Sequence, residues 1–108
     1  MFTDKLKNFI KDQEHRVQKY YKIEDKKIFA LIGMNKLTEE IGELAREILA
    51  SQKIRHKDKV NNHNTETLSL EFADVIITTL ILAQTTGIDL EKALKIKIEK
   101  VTKKYDNL

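Results

Sequence analysis

A chain of 108 residues, 41% apolar and 34% charged, is long enough for one compact domain and too short for two. The absence of proline, three glycines and only 6% aromatics argue against a turn-rich sandwich or barrel, and the absence of cysteine excludes disulfides, thiolate metal sites and cysteine nucleophiles. Twenty basic against seventeen acidic side chains give a net charge of +3, too balanced to require a nucleic-acid partner.

Phe2, Leu6, Phe9, Ile10, Val17, Tyr20 and Tyr21 recur at spacings of three and four, which predicts a first amphipathic helix. The period lapses over residues 22–27. It resumes with Ile28, Leu31, Met34, Leu37, Ile41, Leu44, Ala45 and Ile48 in a longer second helix that should end near Ala50. Residues 51–64 are almost devoid of apolar side chains and read as a long loop. Asn64 or Thr65 can cap a third helix, Gly87 stops it, and Asp89 caps a fourth over residues 90–104 that should bury Leu90, Ala93, Leu94, Ile98 and Val101. The expected fold is all-α, a four-helix bundle spanning residues 1–108 as a single domain. Its third helix is apolar nearly all round, and flanks such as Ile76, Ile77 and Leu80 call for a partner chain. The opening residues lack the apolar core of a signal peptide and no segment is continuously apolar, so the expected location is the cytoplasm, with no membrane partner.

The informative residues are the acids. Glu40 and Glu43 lie three apart on the second helix, beside the stripe of Leu37, Ile41 and Leu44, while Glu39 points from a different side. Glu71 and Asp74 repeat that spacing inside the apolar third helix, which has no lysine or arginine between Leu68 and Gln84 to neutralise them. Burying unpaired carboxylates consumes a large fraction of a small domain's stability, so these two require compensation from outside their own helix. Two such pairs on facing helices would place four carboxylates around one point, and hard divalent cations, Mg²⁺ above all, bind through carboxylates while keeping positions for water and phosphate oxygens. A di-iron bundle would need Glu-x-x-His pairs, and no histidine follows Glu40 or Glu71 at that spacing. Gly42, inside this acidic helix, predicts close approach of another helix or of a ligand; Gly33 reads as a tolerated weak position.

Basic residues form two clusters. Lys53, Arg55, Lys57 and Lys59 fall in the loop, and Lys97, Lys100 and Lys104 share one face of the last helix. Either cluster can simply solvate a surface or complement a helix dipole, and either can meet phosphate. No groove-reading motif or stacking aromatic accompanies the loop cluster, which argues against DNA or RNA as its ligand.

Glu39-Glu40-Ile41-Gly42-Glu43-Leu44, followed by Glu71-Phe72-Ala73-Asp74-Val75 and then Gly87-Ile88-Asp89-Leu90, resembles the EExxE and ExxD signature of the MazG-like nucleotide pyrophosphohydrolases over roughly residues 31–105. The resemblance implies an all-α core assembled as a homodimer or homotetramer, and Mg²⁺-dependent (or Mn²⁺-dependent) hydrolysis of a nucleoside triphosphate to the monophosphate and pyrophosphate. By motif position Glu40, Glu43, Glu71 and Asp74 would be the metal ligands. Glu39 would orient or deprotonate the attacking water, a task open also to Glu43 or Glu71. Lys97, Lys100 and Lys104 would hold phosphate, although Val101 stands where the family commonly has asparagine and Lys104 where it has arginine. Phosphoribosyl-ATP and dUTP pyrophosphohydrolases of related all-α type, and a non-catalytic helical interaction module, are the alternatives.

Overall fold

A computed structural model describes residues 1–52 and 65–107, which form four α-helices: α1 (Asp4–Tyr21), α2 (Lys26–Ser51), α3 (Thr65–Thr85) and α4 (Leu90–Lys104). The boundaries follow from local chemistry. Thr3 Oγ1 accepts from the Leu6 N–H at 3.1 Å to start α1, and Asp25 Oδ1 accepts from the Lys27 N–H at 2.8 Å to start α2. Between them Lys22 takes the left-handed conformation (φ 56°), and the Ile23 N–H closes on the Gln18 carbonyl at 3.0 Å. Gly87 (φ 75°) ends α3 in the same way, with the Ile88 N–H on the Ala83 carbonyl at 2.9 Å, after which Asp89 Oδ1 accepts from the Lys92 N–H at 3.1 Å to start α4. The loop cluster Lys53, Arg55, Lys57 and Lys59, and a cap at Asn64, lie outside the described residues.

Helix α3 is central, as its apolar circumference predicts: it packs most extensively on α2, then on α1, then on α4. Helices α2 and α3 approach closely at Gly33, where a Cβ would sit 3.2 Å from Leu82 Cδ1. Gly42 faces open space, with nothing within 4 Å of a built Cβ. The expectation for these two glycines is therefore reversed: Gly33 makes the contact and Gly42 is the tolerated position. On α1 the buried Glu14 is satisfied by the Thr85 hydroxyl, by Gln84 Nε2 at 3.1 Å and by Lys26 Nζ at 3.8 Å, so a carboxylate ties three helices at one end.

The apolar core is thin. Among the described residues Ile10, Phe29, Ala50 and Leu80 are the buried apolar side chains. Leu80, expected on an uncovered flank, is thus covered by the chain itself, whereas Ile76 is exposed as expected. Helix α4 departs from expectation more: Leu90 and Leu94 are half-buried, but Ala93, Ile98 and Val101 are exposed, because α4 lies against α3 over a short stretch only. The largest departure is α2. Its stripe of Leu31, Met34 and Ile41 faces outward, with Leu31 69% exposed, while Glu40 on the opposite side is 6% exposed. No helix of the described residues is long and apolar enough to cross a membrane.

Glu91 fastens the start of the chain to α4. It accepts from the Phe2 N–H at 2.7 Å and pairs with the Met1 amine at 2.9 Å and Lys7 Nζ at 3.2 Å, which together lower its pKa from 4.5 to about 2. A carboxylate whose pKa is depressed on folding stabilises the fold above its unfolded value and loses that contribution as pH falls through the folded value. Glu91→Gln should therefore melt below the wild type at pH 6, and the gap should close between about pH 4.5 and about pH 2. A gap that persists unchanged at pH 2 would show that Glu91 acts through packing rather than charge.

Candidate metal centre

The side of α2 that meets α3 carries Phe29, Gly33, Glu40, Glu43 and Glu47, residues separated by three, four or seven positions. The facing side of α3 carries Thr67, Glu71 and Thr78. Packing these two sides brings one carboxylate oxygen each of Glu40, Glu43 and Glu71 within 4.8 Å of one another. Glu40 is buried, and Glu43 and Glu71 are half-buried. Two of the oxygens, Glu40 Oε2 and Glu71 Oε2, are sealed from solvent and have no hydrogen-bond partner. An ionised oxygen in that state is costly, comparable to a substantial part of a small domain's stability.

The electrostatics record the crowding. Burial pushes the Glu71 carboxyl above its usual range, and the charges of Glu43, Glu40, Asp74 and Glu47 push it further in the same direction. One cation reaches the centre from its own helix: Lys36 Nζ lies 3.1 Å from Glu40 Oε1 and 3.7 Å from Glu39 Oε2. The hydrogen bond to Glu40 raises the lysine's pKa, partial burial opposes this, and the charges of Glu40, Glu39 and Glu43 reinforce it. That ammonium lies on Glu40 Oε1 and leaves Glu40 Oε2 and Glu71 Oε2 without a partner.

The donor set fits a hard divalent cation. It consists of carboxylate oxygens alone, close enough to be drawn onto an ion with metal–oxygen distances of about 2.0–2.6 Å, and two of the three carboxylates each carry an oxygen sealed from solvent and without a protein donor. Among the described residues this is the one group of three acidic or histidine ligands so placed.

Each expected site residue can be located. Glu40, Glu43 and Glu71 converge; Asp74, one turn after Glu71, is exposed and lies outside the trio, although its charge is felt by Glu71. Glu39 is exposed and joined to the centre through Lys36. Lys97, Lys100 and Lys104 are exposed on α4, which docks on α3, and Lys104 Nζ sits 5.5 Å from the Tyr105 ring centroid. Two residues escaped the sequence reading. Lys36 is one turn before Glu40, and Glu47, one turn after Glu43, accepts from Thr67 Oγ1 at 3.2 Å across the interface. A signal existed for both: Lys36, Glu40, Glu43 and Glu47 form one ladder of spacings four, three and four.

Compared with known protein families, residues 32–108 match the MazG nucleotide pyrophosphohydrolase domain, a span that contains α3, α4 and all of α2 from Ile32 onward, including every carboxylate of the centre. Comparison with curated proteins and with solved structures finds no match.

Because the folded state raises the Glu71 pKa, its ionised form at neutral pH opposes folding. Glu71→Gln should leave the metal-free melting temperature equal to the wild type or higher by up to about 4 °C, while the rise in melting temperature that Mn²⁺ gives the wild type shrinks or vanishes. A Glu71→Gln protein that melts well below the wild type without metal, yet keeps the full Mn²⁺ response, would make Glu71 structural.

Proposed function

Because the chain belongs to the MazG nucleotide pyrophosphohydrolase family, we propose that this centre hydrolyses a nucleoside triphosphate to the monophosphate and pyrophosphate with Mg²⁺ as cofactor. The observation that carries the reading is the convergence of Glu40, Glu43 and Glu71, with two sealed and unpartnered oxygens among them. When bound, the divalent cation neutralises phosphate charge and lowers the pKa of a water molecule, the two needs of phosphoryl transfer. Glu40, Glu43 and Glu71 would hold it, with Asp74, one turn after Glu71, as a further ligand from the exposed edge. Glu39, solvent-facing and one residue from Glu40, orients the attacking water, with Glu43 and Glu71 the alternatives for that task. Lys97, Lys100 and Lys104 meet the phosphate tail as point charges.

The outward face of α2 supports the second half of the proposal, a homodimer as the basic assembly. Leu31, Met34, Thr38, Ile41, Ala45 and Ile48 alternate spacings of three and four, the pattern of a helix–helix seam, and all are exposed. A second copy offers the same seam related by a two-fold axis, so one surface satisfies itself. Phe72 and Ile76 extend the uncovered apolar surface onto α3.

Incubation with canonical nucleoside triphosphates and Mg²⁺ should release pyrophosphate and monophosphate, and excess chelator should lower the rate at least about 100-fold. Orthophosphate with a diphosphate product would refute the cleavage position, and undiminished activity in chelator would refute the metal. Sedimentation of the wild type at micromolar concentration should show a dimer or a multiple of it. Ile41→Lys should shift the distribution to monomer; a monomeric wild type would overturn the assembly.

A further inference from the structure

A cluster of like charges that holds together before its cation arrives needs a counter-charge. Lys36 is placed to be one. Its ammonium is 3.1 Å from Oε1 of Glu40, the most deeply buried carboxylate in the centre, while Glu40 Oε2 is sealed without a partner. It also reaches Glu39 Oε2 at 3.7 Å, and both pairings run within α2, so they exist without any movement of one helix on another. The rest of the lysine is exposed, with a flexible four-carbon stem that can leave without disturbing packing. Among the described residues, no other lysine or arginine pairs with Glu40, Glu43 or Glu71.

We propose that Lys36 is the resident counter-ion of the carboxylate centre, held on Glu40 until a divalent cation displaces it, and that it thereby sets the cation concentration at which the centre fills. The inference rests on the metal-centre reading above. A lysine ammonium and a divalent cation cannot both neutralise the same carboxylate at full strength. Binding of the cation must therefore break or lengthen the Lys36–Glu40 pair, and the free energy of that pair is subtracted from the binding of the cation. Lys36 is thus a positioning residue that holds Glu40 in place and yields it only to a stronger competitor.

The test measures Mn²⁺ binding to the full-length protein by isothermal titration calorimetry, without nucleotide, for wild type, Lys36→Met and Lys36→Arg. Methionine matches lysine in helix propensity and removes only the charge. Lys36→Met should bind Mn²⁺ at least about fivefold more tightly than wild type, while its metal-free melting temperature falls and its metal-induced rise in melting temperature grows. Lys36→Arg, which keeps the charge, should stay within about twofold of the wild-type affinity. Equal or weaker Mn²⁺ binding by Lys36→Met overturns the counter-ion role while leaving the metal centre intact. A wild type that binds no Mn²⁺ overturns both the centre and this role. A Lys36→Met protein destabilised equally with and without Mn²⁺ assigns the lysine to structure alone and also overturns the proposal.

Discussion

Helix α2 faces the wrong way for an isolated domain, and most of the structure can be understood from that. Its acidic side, Glu40, Glu43 and Glu47, is turned toward its own neighbour α3, and its apolar side, Leu31, Met34 and Ile41, is turned to solvent. Ordinary amphipathic packing puts the charges outside. The inverted arrangement places repulsion inside the most extensive helix contact of the chain and leaves unburied the area that would offset it. Apolar burial stabilises by roughly 25 cal/mol per Å², so an uncovered stripe of three large side chains forgoes several kcal/mol while the enclosed carboxylates add a cost of similar order. In the proposed function a cation between α2 and α3 would offset the first deficit and an apolar surface against the other side of α2 the second.

What holds the four helices in register without those additions lies at the ends rather than in the middle. Glu14 joins α1 to the last turn of α3 and to the start of α2, and Glu91 joins α4 to the residues before α1. These are charge-assisted contacts, stronger than neutral hydrogen bonds, and Glu14 is buried with its oxygens satisfied. The contrast with the centre is instructive. Evolution of a structural carboxylate supplies donors, as it does for Glu14; Glu40 and Glu71 each retain an oxygen that the protein does not satisfy. The same side-chain type in the same small domain is finished in one place and left open in another, which is the physical ground for reading the second as a binding site.

Helix number, order and ends were legible in the sequence because each depends on local chemistry: the Asp89 cap and Gly87 stop bracket the α3–α4 turn as their residue types require, and α4 spans residues 90–104 as its period predicts. The convergence of Glu40, Glu43 and Glu71 was legible too, since the odd placement of acids in an apolar helix is a pattern of composition. Orientation was not. A period of three and four says that a helix has two faces, and the assumption that the apolar face meets the rest of the chain fails for α2 and for Ile98 and Val101 of α4. Gly33 and Gly42 are indistinguishable by propensity, and only the crossing point of α2 on α3 decides that Gly33 makes the contact. The counter-charge of Lys36 is not legible from α3, because it comes from α2 and reaches Glu40.

The two deficits of α2 are also coupled through a single rigid element. Glu40 and Ile41 are adjacent residues of one helix, so the backbone that positions a carboxylate for the cation also positions a seam residue for the second copy. Straightening or rotating α2 to optimise either contact moves the other, because a helix transmits displacement along its length with little internal give. In the proposed assembly, covering Leu31, Met34 and Ile41 fixes α2 from outside, and the carboxylates then meet the cation as a preorganised set rather than one that must be gathered at the moment of binding. Preorganisation matters most for a cation with strict geometry, and Mg²⁺ is stricter than Ca²⁺ in distance and coordination. In that assembly the uncovered seam and the carboxylate centre are two sides of one helix, so burying the first would preorganise the second.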